Sequence, residues 1–214
     1  YYGASQVGPD GVFVPAHSYR FPDGTGAFEI GIFDVAVASD TPGGPNAAPL
    51  TEDCGNGLDD DGDGLADCAD DDCACDAACN PVPANDDCAN AQVVGEGTFT
   101  FTTTGASDDG PTTCGGVLSR DVWFSFTAPC TGLTTFTTCG TASVGFNPQM
   151  AIYDGTGGCT PSGSTWIACD AGSCIGSGEP EIILDVVAGQ TYLVQLGGFL
   201  DSCGTGDLTI TCPS

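Results

Sequence analysis

The stretch DVWFSFTAPC, which runs from Asp121 to Cys130, alternates large apolar side chains with other residues. Successive side chains of a β-strand point to opposite faces, so this alternation predicts a strand with one buried face. The buried face carries Val122, Phe124 and Phe126, and the other face carries Trp123, Ser125 and Thr127.

The same two-residue period recurs on both sides of this stretch. It is present at Phe99 and Phe101, Met150 and Ile152, Ile182 to Val186, Tyr192 to Leu196, and Leu208 and Ile210. With Thr134 to Thr138 and Thr165 to Ala168, about eight short strands fit, and no helix-length amphipathic segment separates them. The sequence therefore predicts an all-β fold, an antiparallel β-sandwich resembling a jelly roll. Core burial is expected for at least one of Trp123 and Trp166.

Composition divides the chain into three zones. Residues 1–50 form an N-terminal arm that ends in the Pro/Gly/Asn linker Thr41 to Pro49. Residues 51–83 form a Cys/Asp-rich block, closed by the stiff spacer Pro81-Val82-Pro83. Residues 84–214 contain the strand pattern and are predicted to form the sandwich domain.

The arm contains one apolar segment, Ala27 to Ala38, whose parity changes along its length. Large apolar residues fall at Phe28, Ile30 and Ile32 and then at Phe33, Val35 and Val37. A continuous strand here needs a bulge at Ile32-Phe33 or burial on both faces. This extended β-arm either completes the sandwich of its own chain or adds a strand to a neighbouring copy. Repeated addition would give a head-to-tail filament.

The 14 cysteines indicate a protein that folds outside the reducing cytoplasm. Their even number predicts disulfides, mostly within the 54–88 and 114–212 groups, with a spanning pair such as Cys88 to Cys114. The longest apolar segment is interrupted by Glu29 and Asp34, so no membrane insertion is expected. We expect an extracellular protein, secreted or at the cell surface.

The formal net charge of −27, with no Lys and only Arg20 and Arg120 as cations, excludes nucleic acid as a partner. Residues 52–87 hold 13 of the 29 acidic side chains. Such a density of like charge is self-repelling unless cations neutralise it. Bound cations are therefore expected in this block.

A twelve-residue stretch of the block, Asp59 to Asp70, has the spacing of a calcium-binding loop. Calcium prefers six to eight oxygen ligands, and such loops supply them from positions 1, 3, 5, 7, 9 and 12 with Gly at position 6. Gly64 occupies position 6. The predicted ligands are the side chains of Asp59, Asp61, Asp63 and Asp70, the carbonyl of Leu65, and Asp67 directly or through water. No flanking helices are predicted, so the loop is EF-hand-like without an EF-hand fold.

The Cys/Asp-rich block contains two other sets of residues that could bind a metal. Asn56, Asp60 and Asp72 offer oxygens for a second ion, but solvated carboxylates explain them equally well. Zinc would need thiolates from Cys68, Cys73, Cys75 and Cys79, whose spacing lacks paired C-x-x-C knuckles. Calcium is therefore the metal expected from the sequence.

Two resemblances cover most of the chain beyond the arm. The run EDCGNGLDDDGDGLADCADDDC, Glu52 to Cys73, resembles the calcium-binding repeats of thrombospondin type 3 and single repeats in secreted myxobacterial and planctomycete proteins. The motifs NDDCANA, DVWFSFTAPC, MAIYDG, GQTYLVQLGG and GTGDLTITC resemble bacterial prepeptidase C-terminal domains. The second resemblance implies a secreted β-sandwich that accompanies exoenzymes or surface proteins. The chain departs from that family's Phe-Asp-Thr at Phe146-Asn147-Pro148.

No catalytic constellation is recognisable, and the single histidine, His17, is interpreted as a surface residue. We therefore expect no enzyme activity. One hypothesis is a calcium-binding structural protein, a subunit of a surface assembly or filament. The alternative is a secreted adhesion or accessory module that binds polysaccharide or protein, and a weaker third is a protease-associated remnant.

Overall fold

The computed structural model describes residues 51–111, 118–159 and 166–213, together with the backbone of four two-residue strands nearer the N-terminus. These are β1 (Gln6–Val7) paired with β2 (Phe13–Val14), and β3 (Tyr19–Arg20) paired with β4 (Ala27–Phe28), both antiparallel. The parity change at Ile32-Phe33 lies outside the described residues. Both hypotheses for the arm, including strand addition to a neighbouring copy, therefore stay predictions.

Nine further strands form two sheets. They are β5 (Gln92–Val94), β6 (Gly97–Thr102), β7 (Leu118–Thr127), β8 (Gly132–Thr137), β9 (Pro148–Asp154), β10 (Trp166–Asp170), β11 (Glu181–Val186), β12 (Thr191–Phe199) and β13 (Thr205–Thr211). One sheet has the order β10-β9-β12-β7-β5 and the other β11-β8-β13-β6. Short 3-10 helices span Asp67–Ala69, Asp71–Cys73 and Cys88–Asn90. Among the described residues, no helix has the length and apolar character needed to cross a membrane.

The predicted all-β sandwich is confirmed. Every pairing between neighbouring strands is antiparallel except that of β5 with β7, which is parallel. The alternation along the chain did not predict β5, because Gln92-Val93-Val94 is too short to establish a period. Strand β5 lies at the edge of its sheet, where a short strand is common.

The core lies between the two sheets and contains the apolar residues that the alternation assigned to the buried face. Phe126 of β7 contacts Phe136 of β8 edge to face, with ring centroids 5.4 Å apart. Phe124 makes a similar contact with Phe101 of β6 at 6.4 Å. Edge-to-face contacts are a preferred arrangement of aromatic rings, so they help to fix how the two sheets stack.

The second face of the five-stranded sheet, which we call the outer face, is also largely buried at its centre. Trp123 is fully buried there and its ring centroid lies 5.8 Å from that of Tyr153. The expectation that at least one tryptophan is a core residue is therefore confirmed. Trp166, on edge strand β10, is instead 43% exposed. Because both faces are covered at the centre of this sheet, β7, β9 and β12 are buried over most of their length.

Six disulfides lie between described residues. They are Cys54–Cys73, Cys68–Cys79, Cys75–Cys203, Cys88–Cys159, Cys130–Cys212 and Cys139–Cys174. The proposed Cys88–Cys114 pair is wrong, because Cys88 pairs with Cys159. Two bridges, not one, connect the two cysteine groups, because residues from both groups lie side by side in the fold. None of the described cysteines is free.

The chain divides into two compact units. The first comprises Tyr1–Asp53 and Leu58–Ala66, and the second comprises Cys54–Gly57 and Asp67–Ser214. All six disulfides and both sheets belong to the second unit. The three-zone division at residues 50 and 83, which was based on composition, stays a prediction.

Candidate functional site

In the first half of the predicted calcium loop, backbone N–H groups donate hydrogen bonds to carboxylates of the same loop. Asp59 accepts hydrogen bonds from the backbone N–H of Gly62 at 2.7 Å and of Gly64 at 3.1 Å. Asp61 accepts one from Asp63 N at 3.0 Å. Asp63 in turn accepts one from Leu65 N at 2.8 Å. These short-range bonds bend the backbone so that the carboxylates at positions 1, 3 and 5 share a tight turn.

Glycine is required at two positions of this turn. Gly62 and Gly64 have φ values of 83° and 99°, in the left-handed region that side chains with a Cβ rarely adopt. The interpretation of Gly64 as the residue that permits the sharp turn agrees with this conformation. The Asp-x-Asp-Gly-Asp-Gly pattern thus encodes the local geometry directly.

Glu52, which precedes the twelve-residue template, joins the carboxylates of the loop. Oxygens of Glu52, Asp59 and Asp61 all lie within 4.8 Å of one another. Glu52 also accepts a hydrogen bond from Asp60 N at 2.9 Å. Sequence reasoning missed Glu52, because the template begins seven positions later and no other signal in the sequence selects this acid.

The spacing of these oxygens fits a calcium ion. Ca²⁺–O distances are about 2.3 to 2.6 Å, so two oxygens on one ion lie at most about 5 Å apart. The carboxylates of Glu52, Asp59 and Asp61 meet this limit. Like charges at this separation repel strongly unless a cation lies between them. The donor set consists of hard oxygens, which suits calcium better than softer metals.

The last two predicted ligands, Asp67 and Asp70, belong to the second unit. Asp67 accepts hydrogen bonds from Asn56 N at 3.1 Å and Gly57 N at 3.0 Å. Asp70 is 4% exposed and caps the 3-10 helix Asp71–Cys73 through a 2.7 Å bond from Asp72 N. Their coordination of calcium, and that of the Leu65 carbonyl, stays a prediction.

The zinc alternative is excluded by covalent structure. Cys68, Cys73, Cys75 and Cys79 are all disulfide-bonded. A zinc ligand must be a thiolate, and a sulfur in a disulfide carries no such charge. The Cys/Asp block is therefore a disulfide framework.

A buried polar cluster lies on the outer face of the five-stranded sheet. Tyr153 donates from its hydroxyl to Gln195 Oε1 at 2.7 Å, and Gln195 Nε2 donates to Asp121 Oδ2 at 2.9 Å. Trp123 Nε1 donates to Asp109 Oδ1 at 2.9 Å. Sequence reasoning assigned Trp123 to the outer face but did not find this cluster. Its other members are not close to one another along the chain.

Asp121 is the most perturbed carboxyl group in this cluster. Its side chain is 1% exposed, and burial raises its pKa to about 7. The hydrogen bond from Gln195 lowers the pKa, whereas the nearby Asp109 carboxylate raises it further. Arg120 and Asp121 lie where the register between β7 and β12 shifts, and Arg120 has a φ of 50°. Asp121 lies two positions from Trp123 in β7, so it shares the outer face with Trp123 and reaches the buried cluster.

The family described as "galactose binding domain-like", which is T9SS-associated, matches residues 84–210. The chain belongs to the galactose-binding-domain-like family. Domains of this family are non-catalytic and of the binding type. Membership therefore favours the alternative hypothesis, a binding or accessory module. Together with the disulfides, the T9SS association places the galactose-binding-like domain outside the cytoplasm or at the cell surface. Residues 52–73 lie outside the match, so the thrombospondin type 3-like repeat stays a prediction.

Three solved structures resemble this chain weakly. The pre-peptidase C-terminal domain of a Bacillus anthracis collagenase is 11% identical, with a TM-score of 0.39 over 56% of this chain and 94% of that one. The periplasmic lysozyme inhibitor PliG of Aeromonas hydrophila is 13% identical, with a TM-score of 0.30 over 56% and 99%. The surface-associated copper-binding protein CorA of Methylomicrobium album BG8 is 9% identical, with a TM-score of 0.34 over 57% and 100%. At these scores the likenesses carry no information on function. A comparison with curated proteins found no match.

Proposed function

We propose that this chain is an extracellular, calcium-binding module that attaches to carbohydrate. Membership of the galactose-binding-domain-like family over residues 84–210 supports the carbohydrate part. The calcium part rests on one geometric observation, the oxygens of Glu52, Asp59 and Asp61 within 4.8 Å of one another. Calcium orders the acidic loop in this proposal, and the sandwich binds the sugar.

The proposed calcium ligands are those of the twelve-residue template with Glu52 added. Asp59, Asp61 and Asp63 are already oriented by hydrogen bonds to backbone N–H groups. Such pre-organisation reduces the entropy lost when the ion binds. The template also assigns the Leu65 carbonyl, Asp67 and Asp70 as ligands.

Calorimetric titration with calcium chloride tests this part. Extracellular calcium modules have dissociation constants of about 0.1 to 1 mM, so about 1 mM calcium stabilises such a site by only about 0.4 to 1.4 kcal/mol. Asp61→Asn should abolish the binding heat, since the amide keeps the hydrogen bond to Asp63 N but loses the charge. Asp76→Asn is the matched control, because Asp76 makes the same kind of bond to Ala78 N at 2.8 Å outside the template.

Chelation followed by limited proteolysis provides a second measurement. Without calcium, the carboxylates of the loop repel one another, and cleavage between Glu52 and Pro83 should precede cleavage of the sandwich. The same early cleavage is expected for Asp61→Asn in the presence of calcium. Equal binding heat in both variants, with an unchanged digestion pattern, would refute the calcium proposal.

Binding to immobilised, galactose-terminated glycans tests the carbohydrate part. We expect saturable retention that free galactose or lactose displaces. If the protein binds neither these glycans nor other neutral ones, the carbohydrate proposal is wrong, whatever the outcome with calcium.

A further inference from the structure

Trp166 is the only exposed aromatic side chain in the described part of the chain. It is 43% exposed, whereas Trp123 is fully buried. An indole ring exposes a large apolar surface to water, which is unfavourable unless a ligand covers it. Ile167, the next residue, is equally exposed at 43%. Edge strand β10 therefore exposes two adjacent apolar side chains, Trp166 and Ile167, to solvent.

The register of the sheet places Trp166 on the outer face. Trp166 lies directly opposite Tyr153 of β9, and residues directly opposite in an antiparallel pair share a face. Tyr153 is buried against Trp123 on that face. A register shift follows Trp166, and bulges of this kind redirect side chains at sheet edges. The backbone of Trp166 thus lies next to that of Tyr153, on the face that carries the buried Trp123–Tyr153 pair.

Two hydroxyl groups lie across the same face. Thr191 of β12 is opposite Thr127 of β7, and their Oγ1 atoms are 3.0 Å apart. Gly155, which donates its N–H to Thr191 O at 2.9 Å, separates them from the indole. A Cβ on Gly155 would come within 3.0 Å of Thr191 Cγ2, so a residue with a side chain would be crowded here. With glycine at this position, no side chain stands between the indole and the two hydroxyl groups. Trp166, Gly155, Thr191 and Thr127 together form what we call the outer-face strip.

The dimensions of the strip match a disaccharide. Strands lie about 4.8 Å apart and residues two positions apart lie about 6.7 Å apart, which puts the Cα atoms of Trp166 and Thr191 about 12 Å from each other. Two linked hexose rings span a similar length. One ring can stack its apolar face on the indole while hydroxyls of the other exchange hydrogen bonds with Thr127 and Thr191.

Charge restricts the ligand to neutral sugars. The chain has a formal net charge of −27, which repels sulfated or uronic-acid glycans.

We propose that the outer-face strip is the carbohydrate site, with Trp166 stacking on one ring of a neutral, galactose-containing disaccharide and the Thr127–Thr191 hydroxyl pair binding the second ring. This assignment rests on the carbohydrate function proposed above. It identifies the residues that hold the sugar and restricts the ligand to neutral sugars, and neither of these points follows from family membership.

The two tryptophans allow a specific spectroscopic test with lactose as the probe. Acrylamide, which is neutral, should quench Trp166 and not Trp123, because only Trp166 is accessible. Lactose should protect Trp166 from acrylamide and shift its emission to shorter wavelength. Trp166→Ala should weaken lactose binding about tenfold or more in calorimetry, and Trp166→Phe should retain part of the affinity. Thr191→Val should weaken it about threefold to tenfold through the lost hydroxyl.

Controls separate this inference from the proposal on which it rests. Val93→Ala changes an 82% exposed residue on edge strand β5 at the opposite side of the sheet and should leave binding unchanged. Near-ultraviolet circular dichroism should show that each variant is folded. If the wild type binds lactose and Trp166→Ala binds it equally well, the strip is not the site, although the carbohydrate proposal stands. If the wild type binds no neutral disaccharide, both proposals fall.

Discussion

Gln195 donates a hydrogen bond from Nε2 to Asp121 Oδ2 at 2.9 Å, and both side chains are at most 1% exposed. Burial disfavours the charged form of a carboxyl group, so the pKa of Asp121 is raised to about 7. The Gln195 amide binds either protonation state, while Asp109 beside it disfavours the charged one. The pair therefore couples the ionisation of one carboxyl group to the stability of the sheet.

Stability should decrease as the pH rises from about 4 to about 7. In this interval the folded state retains a proton on Asp121 that the unfolded state releases, so each pH unit costs about 1.4 kcal/mol and the total reaches at most about 4 kcal/mol. Above the folded pKa this contribution is constant. Guanidinium unfolding at several pH values, with disulfides intact and chelator present throughout, measures the slope.

Asp121→Asn is the decisive variant for this prediction. The amide resembles the protonated carboxyl and cannot ionise, so the decline between pH 4 and 7 should disappear. Asp185→Asn, at an exposed position of β11, should leave the decline intact. A wild-type protein whose stability is constant or rises over this interval would contradict the assignment.

Glu179 should be important for the loops at one end of the sandwich. It is 6% exposed and accepts hydrogen bonds from Ala142 N at 3.0 Å, from Gly140 N and from Ser177 Oγ at 3.3 Å. Glu179→Ala leaves two backbone donors without their acceptor, which costs about 2 to 4 kcal/mol of unfolding free energy. Glu181→Ala, at an exposed neighbouring position, should cost less than about 1 kcal/mol.

Proteolysis would locate the effect of Glu179→Ala. Cleavage should begin between Cys139 and Phe146, where the two donors lie. Uniform destabilisation without preferential cleavage there would indicate that the carboxylate does not hold this loop.

The turn between β12 and β13 contains local strain that can be relieved. Leu200 and Asp201 have φ values of 49° and 60°, and Ser202 N donates to Phe199 O at 3.2 Å. This is the geometry of a type I′ turn, in which Asn-Gly is strongly preferred. The double substitution L200N/D201G should raise the unfolding free energy by about 1 to 2 kcal/mol. Leu200→Ala alone keeps a Cβ in the left-handed region and should give no such gain in chemical denaturation.

The alternation of apolar residues predicted the sandwich because burial in a sheet follows a period of two. Val122, Phe124 and Phe126 are buried as that rule requires. Burial of Trp123 on the opposite face depends on Tyr153, Asp109 and the segment around Cys88, which are distant in sequence. Local patterning contains no information on such long-range partners. The polar cluster around Asp121 could therefore not be predicted from the sequence.

The predicted calcium loop shows the same distinction within a short segment. The turn at Asp59, Asp61 and Asp63 follows from local hydrogen bonds and two glycines, so spacing alone was sufficient to predict it. Glu52 joins these carboxylates from outside the template. The pairing of Cys88 was predicted wrongly for a related reason, since cysteine spacing does not determine which residues the fold brings together.

The disulfides should differ in what their removal destabilises. Cys75–Cys203 closes a loop of 128 residues, and Cys68–Cys79 closes one of 11. The loss of chain entropy in the unfolded state grows with loop length, so the first bridge is worth about 5 kcal/mol and the second about 3 kcal/mol. Cys75 also accepts a hydrogen bond from Arg120 Nη1 through its carbonyl at 2.6 Å, which fixes its position beside β7.

C75S/C203S should therefore lower the unfolding midpoint of the whole sandwich. C68S/C79S should mainly increase proteolysis between Cys54 and Pro83, with a smaller shift of that midpoint. Equal midpoints for the two double variants would show that Cys75–Cys203 does not constrain the unfolded chain as its loop length requires.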